Sequence, residues 1–400
     1  MKILEDIWEA QMKQVSKKSR KPVAKGPWQR ELGRFPRGLT KAAMVAINDV
    51  MRVKKNERVL IITNPEADVW MISKALADAA MIKGAETTII TQPTRTSLDY
   101  ASDAVIGALR SEPEVIISIS AAKLGKDRFG LSKPYTFKGV QGSWPHIFNA
   151  LMGANKSRSF WSPAVTLDSF IRTVPVDYKL MRSRASKLRR ALDKADRVQI
   201  TSPGGTDLEL GIRGREGFPD DGSFWKPGSG GNLPAGEVYI SPTNYEAQGV
   251  IVFDGSLALI EGGAFVPRKP VIVDVVDGRA VRIYGGAGAK RFEKSLVAGE
   301  KAARAMKGQP GWPAKRIASY EKNARHLGEL GIGLNPSARV TGNMLEDEKI
   351  LGTCHIAVGS NYDNDAEAFN HLDCIIKAPT ITLIGKSGRT KQIMKNGRIV

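Results

Sequence analysis

Residues 56–91 read NERVLIITNPEADVWMISKALADAAMIKGAETTIIT. Two continuously apolar, β-branched runs, Val59–Thr63 and Thr87–Thr91, bracket a stretch of helical texture over about 67–83 that stops at Gly84. A further helix over about 98–110 leads to a third run, Val115–Ile119. Strands that are apolar on both faces, separated by helices of that length, belong in a parallel sheet covered on both sides. The spacing predicts an α/β protein whose N-terminal domain, over 37–195, is a doubly wound parallel sheet ending in a basic connecting helix at Tyr178–Ala195. The first strand runs into Asn64-Pro65-Glu66 rather than a GxGxxG or Walker loop, so nothing here supports nucleotide binding.

Outward from this domain the texture changes on both sides. Residues 1–36 begin with an amphipathic helix candidate (Ile3, Ile7, Trp8, Met12) and continue into a basic, proline-containing arm densest at Lys17–Lys25. This segment is expected to clasp the body or a second subunit. Beyond Val198 come short strands and glycine turns, with Asp277-Gly278 as a hairpin turn between Val271–Val276 and Val281–Tyr284. Helical stretches over about 289–306 and 313–328 are interrupted by Gly308-Gln309-Pro310-Gly311. Residues 196–400 therefore read as a second, β-rich α+β domain.

Four hundred residues suffice for two or three cored domains. No apolar run approaches the roughly 18–20 residues needed to span a bilayer, and the N-terminus lacks a signal-peptide core. Two cysteines, Cys354 and Cys374, make no disulfide framework, which points to a reducing, cytoplasmic setting and no membrane partner. The net charge of +19 is spread along the chain without a nucleic-acid-binding signature. A solvated basic surface is expected, and no specific nucleic-acid partner.

Chemistry concentrates in residues 352–373, GTCHIAVGSNYDNDAEAFNHLD, which hold two of the four histidines. His355 lies in one apolar strand-like run, and His371 and Asp373 open another. At period two His371 and Asp373 share a face, and pairing of the two runs across 359–369 would bring His355 opposite them. The two cysteines are one residue out of phase and should face the far side. A lone histidine is most often a hydrogen-bonded core residue. Two imidazoles and a carboxylate converging from a buried sheet make a metal site the first hypothesis.

Two glutamates join the set. Glu237 opens a strand after the loop Asn232–Gly236, and Glu329 lies between glycines and apolar residues. A carboxylate in apolar company must be paired, protonated or metal-bound. His326, three residues before Glu329, would share its face if the helix continued through them. Among Glu346, Asp347 and Glu348, one could orient a ligand histidine, while at least two are expected to be solvated. His146, beside Pro145, reads as structural.

These blocks in order, Thr206-Asp207-Leu208, Asn232–Val238, Leu327-Gly328-Glu329, Leu345–Lys349 with Gly352–Gly359, and His371-Leu372-Asp373, resemble the M29 metallopeptidases of the aminopeptidase T/aminopeptidase S type. The resemblance spans about 38–400 and implies two divalent metals (Zn, Co or Mn) on Glu237, Glu329, His355, His371 and Asp373. It also implies Tyr362, seven residues after the first histidine, as an active-site residue able to donate to an oxyanion. The implied activity is a cytoplasmic, homodimeric aminopeptidase acting on peptides or amino-acid amides through water activated by the metal pair. The Glu237–Glu329 segment is longer, and the loop between the histidines shorter, than in that family. The 2,5-dihydroxypyridine dioxygenases resemble the same family. They offer the alternative of a mononuclear Fe(II) ring-cleaving site on His355, His371 and Asp373. A basic binding protein that kept only the scaffold is the third reading.

Overall fold

The computed structural model describes residues 35–96 and 99–400. The helix and basic arm expected over 1–36 therefore lie almost wholly outside the described residues. From Arg37 to Val400 the chain forms one unit, built on three sheets.

The first sheet is parallel, as the β-branched runs predict. Arg58–Thr63 pairs in parallel with Glu86–Thr91 on one side and Val115–Ser120 on the other. Arg158–Pro163 follows, and the short strand Gly230–Asn232 completes it. Val115–Ser120 is buried along its whole length, which explains why it reads VIISIS without alternation. Leu60, Ile62 and Ile116 pack with Val105, Ile106 and Leu109 of the helix Asp103–Leu109 and with Ile147, Ala150 and Leu151 of Ile147–Gly153. The helix Ala67–Ile82 also packs on this sheet.

The other two sheets are antiparallel. One has eight strands, from Arg279–Tyr284 at one edge to Arg398–Ile399 at the other. The hairpin expected at Asp277-Gly278 joins Val271–Val276 to Arg279–Tyr284.

The second antiparallel sheet carries the site. Its seven strands run Ala264–Phe265, Leu257–Ala258, His371–Lys377, Thr353–Gly359, Leu327–Gly333, Glu237–Ile240 and Phe218–Asp220. Leu327–Gly333 and Thr353–Gly359 are buried at every residue. The helical reading of 313–328 is corrected here. The helix stops at Asn323, and Leu327 begins a strand, so Glu329 projects from a sheet. The apolar run LGELGIG, with glycine at every third or second place, suits a strand pressed between neighbours better than a helix. Among the described residues no helix is long and apolar enough to cross a membrane.

Candidate metal centre

Register places the donors. Asp373 pairs with Ala357 and Ala357 with Glu329, while His371 pairs with Gly359. His355 pairs with Ile375 on one side and Gly331 on the other, so it stands one rung along from Asp373 rather than opposite it. Gly331 also pairs with Tyr239, and Gly333 with Glu237. Since alternate residues share a face, His371, Asp373, His355, Glu329, Tyr239 and Glu237 all rise from one side. The positions between them are Gly359, Ala357, Gly331 and Gly333. Small residues alternate with functional ones, and that leaves the room into which the large side chains lean.

Gly331 shows this most directly. A Cβ built there would stand 2.1 Å from Cε1 and Nε2 of His355. The imidazole lies over the backbone of Gly331, and no other residue would admit it there.

Five donors meet. His355 Nε2 lies 3.1 Å from Glu329 Oε1, 3.7 Å from Glu237 Oε2 and 3.9 Å from Asp373 Oδ1. His371 Nε2 lies 3.2 Å from Glu329 Oε2 and 3.3 Å from Asp373 Oδ1. They form two groups, Glu237–Glu329–His355 and Glu329–His371–Asp373, in each of which the ligand atoms lie within 4.8 Å of one another. His371 Nδ1 donates to the Ser360 carbonyl at 2.8 Å, which turns Nε2 toward the cluster and fixes it as the ligating nitrogen.

Without a cation, protons take over the balance of charge. Burial alone would lower the His355 imidazole, but the hydrogen bond and charge of Glu329 raise it to about 9. Burial likewise opposes protonation of His371, yet Asp373 and Glu329 raise it well above its ordinary range. Burial pushes Glu329 upward, and its bonds to the two histidines bring it below the usual carboxylate range. Glu237 goes the other way, raised chiefly by burial against the pull of Lys349.

The donors fit a divalent metal. Glu237 Oε2 is a buried oxygen with no hydrogen-bond partner, and Asp373 Oδ1 is met only by the ion-pair contacts of the two histidines; leaving a buried oxygen unmet costs on the order of 1–3 kcal/mol or more. The set is oxygen and imidazole nitrogen without thiolate, which suits Zn, Co, Mn or Fe(II). Cys354 and Cys374 are free and buried, and they alternate out of phase with the donors as expected.

The structure also brings in residues that the sequence reading did not. Lys349 is fully buried, its Nζ 2.5 Å from Glu237, 3.2 Å from Asp220 and 2.9 Å from Glu348. The expectation that at least two of Glu346, Asp347 and Glu348 are solvated is corrected, since all three are committed. Glu346 is buried against Arg172, 2.5 Å away. Asp347 accepts from the backbone of Thr341 and Gly342. Glu348 faces Lys349. In sequence, EDEK is indistinguishable from a surface charge run.

His326 does not join the donors. It is buried at the start of its strand, both ring nitrogens lack a partner, and Tyr245 packs edge-on against it. His146 is structural, accepting from Phe148 N at the start of its helix and bonding the Gly125 carbonyl. Tyr362 is 54% exposed. Its ring packs 5.1 Å from that of His371 and 5.1 Å from Tyr239, and Tyr239 in turn stacks on Phe218. Three aromatic rings thus lead from the surface to a donor histidine.

Two solved structures share this fold. The 2,5-dihydroxypyridine dioxygenase of Pseudomonas putida KT2440 superposes with a TM-score of 0.67 at 15% identity, over 90% of this chain and 96% of that one. AmpT from Thermus thermophilus superposes with a TM-score of 0.62 at 19% identity, over 91% of this chain and 99% of that one. At such identities both show the fold alone, so the M29 resemblance read from the sequence stands as a likeness of fold. No curated protein matches by sequence. The family model described as "NicX: 2,5-dihydroxypyridine 5,6-dioxygenase" matches residues 166–400. That is more than half of the chain and includes every donor, and the chain belongs to this family.

Proposed function

We propose that the cluster holds two divalent cations and that the protein hydrolyses an amide bond beside a free amino group, in a small peptide or amino-acid amide. The observation that carries this reading is the placement of Glu329. One carboxylate oxygen faces His355 and the other faces His371, so two donor sets share a single bridging side chain. Charge supports the same count. Asp220, Glu237 and Glu348 contact one ammonium, Lys349, and Glu329 and Asp373 face the two histidines. With both imidazoles neutral, as ligation requires, these five carboxylates and one ammonium leave a formal excess of four negative charges that two divalent cations would neutralise. One cation would leave two buried negative charges to be met by protons, at several kcal/mol for any that stayed ionised.

Glu237, Glu329, His355, His371 and Asp373 would hold the cations, which when bound supply Lewis acidity and a water acidic enough to react near neutrality. Around them the chain's own groups bind and orient. Tyr362, whose ring packs 5.1 Å from that of His371, would donate its hydroxyl to the oxygen that gains charge as the carbonyl is attacked. Phe218, Tyr239 and Tyr362 offer an aromatic wall for an apolar substrate side chain.

Membership of the dioxygenase family favours a second reading, a mononuclear Fe(II) ring-cleaving site on His355, His371 and Asp373. Elemental analysis of protein purified without chelators separates the two readings. The hydrolase requires about two divalent metals per chain and release of amino acids from amide substrates. One iron per chain, with oxygen consumed on a dihydroxylated aromatic ring, would replace it with the dioxygenase.

A further inference from the structure

We propose that Lys349 is a positioning residue for the cation site: its ammonium holds one oxygen of Glu237 so that the other is presented to the Glu329–His355 half. The proposal rests on the two-cation reading above.

Lys349 is fully buried. Its three N–H donors meet three carboxylates, Glu237 Oε1 at 2.5 Å, Glu348 Oε1 at 2.9 Å and Asp220 Oδ2 at 3.2 Å. An ammonium has three donors, so this one has none left for a substrate and no open face from which to act as a nucleophile. Burial disfavours its charge, and three carboxylate oxygens within 3.2 Å of Nζ favour it. It is a fixed positive charge that does no chemistry of its own.

What the charge does is visible on Glu237. Oε1 is taken by Lys349, and Oε2 is buried, without a hydrogen-bond partner and 3.7 Å from His355 Nε2. Glu237 is the first residue of its strand, at the end of a loop, and its side chain would otherwise be free to swing among several rotamers. The lysine removes that freedom. The lysine is itself held firmly, with its backbone N–H on Glu346 and its carbonyl accepting from Asn335. Asp220 pairs with Glu237 across the edge of the sheet. The neighbouring strands of Asp220 and Glu237 and the distant Glu348-Lys349 segment therefore converge on one ammonium.

The test is stepwise titration of the cation-free full-length chain with cobalt(II), followed by visible absorbance and calorimetry. The wild type is expected to take up two ions. Lys349→Met is expected to keep the ion of the Glu329–His371–Asp373 half and to weaken the other by about ten- to a hundredfold, the usual effect of removing a group that orients a ligand. The absorbance that belongs to that ion should fall with it. Because Lys349→Met strands two other buried carboxylates, Lys349→Met/Asp220→Asn/Glu348→Gln is measured alongside it, with circular dichroism to verify folding. This variant leaves Glu237 without its holder and without new unpaired neighbours. Two ions bound by the folded triple variant as tightly as by the wild type would overturn the role of Lys349 and leave the two-cation reading intact. A wild type that binds one ion would overturn that reading, and the proposal with it.

Discussion

Gly331 lies across the strand ladder from His355, and the imidazole occupies the space in which a side chain at 331 would stand. A Cβ there would be 2.1 Å from the ring, far inside any tolerable contact. The ring has little freedom to yield, since Glu329 and Glu237 face its Nε2. Gly331→Ala should therefore push His355 out of the cluster. The expected result is a tenfold or greater loss of cation affinity together with about 1–3 kcal/mol of stability from overpacking, read by metal titration and urea unfolding. Gly107→Ala, in the helix Asp103–Leu109 with open space around it, is the control. It should leave metal binding alone and stabilise by roughly 0.5–1 kcal/mol. Equal metal affinity in the two variants would refute this account of the glycine.

Cation uptake should release protons. His355 is raised to about 9 and His371 well above its ordinary value by the carboxylates they face, and a ligating imidazole must be neutral. Below pH 9 each ion therefore competes with protons. Apparent affinity should fall as pH falls, by up to about tenfold per pH unit for each proton displaced, and level off only above the values of both histidines. Calorimetric titration in two buffers of different ionisation enthalpy measures the protons released. An affinity independent of pH between about 6 and 8 would contradict it.

Tyr362 tests the division of labour at the site. The residue packs on His371 but is not among the five donors. Tyr362→Phe should keep the metal content and lower kcat by about 10²-fold with little change in KM, as expected when a donor to a developing oxyanion is removed. Loss of metal in this variant would instead make the tyrosine a structural support of the histidine.

His326 should govern part of the acid limb of stability. Burial lowers its pKa to about 4, below the unfolded value near 6.5, so the folded protein holds it neutral while the unfolded chain protonates it. The contribution is complete above about pH 6.5 and is lost as pH falls toward 4, by about 3 kcal/mol in total. His326→Phe should flatten that part of the stability profile, measured by urea unfolding at several pH values. An unchanged slope would show that other groups carry it.

Much of this protein is local in origin. The continuous β-branched runs at Val59, Thr87 and Val115 specify parallel strands, because burial on both faces leaves no place for alternation. The five donors, Glu237, Glu329, His355, His371 and Asp373, were legible as a set through the resemblance of their blocks, in order, to the M29 metallopeptidases, and the fold brings them together. The strand nature of Glu329's segment was harder to read, since LGELGIG follows directly on a helix without a proline stop.

What tertiary structure alone decided is which distant residues share a rung or a buried charge. Lys349 and Glu346 belong to a run that looks solvated, and only the fold brings Asp220, Glu237 and Arg172 to them. Gly331 looks like any strand glycine until register sets an imidazole over it. Strand periodicity is a property of neighbours along the chain, so sequence reveals it. Register and charge pairing depend on contacts between separate segments, some over a hundred residues apart as Lys349 and Glu237 are, and they exist only once the chain has folded.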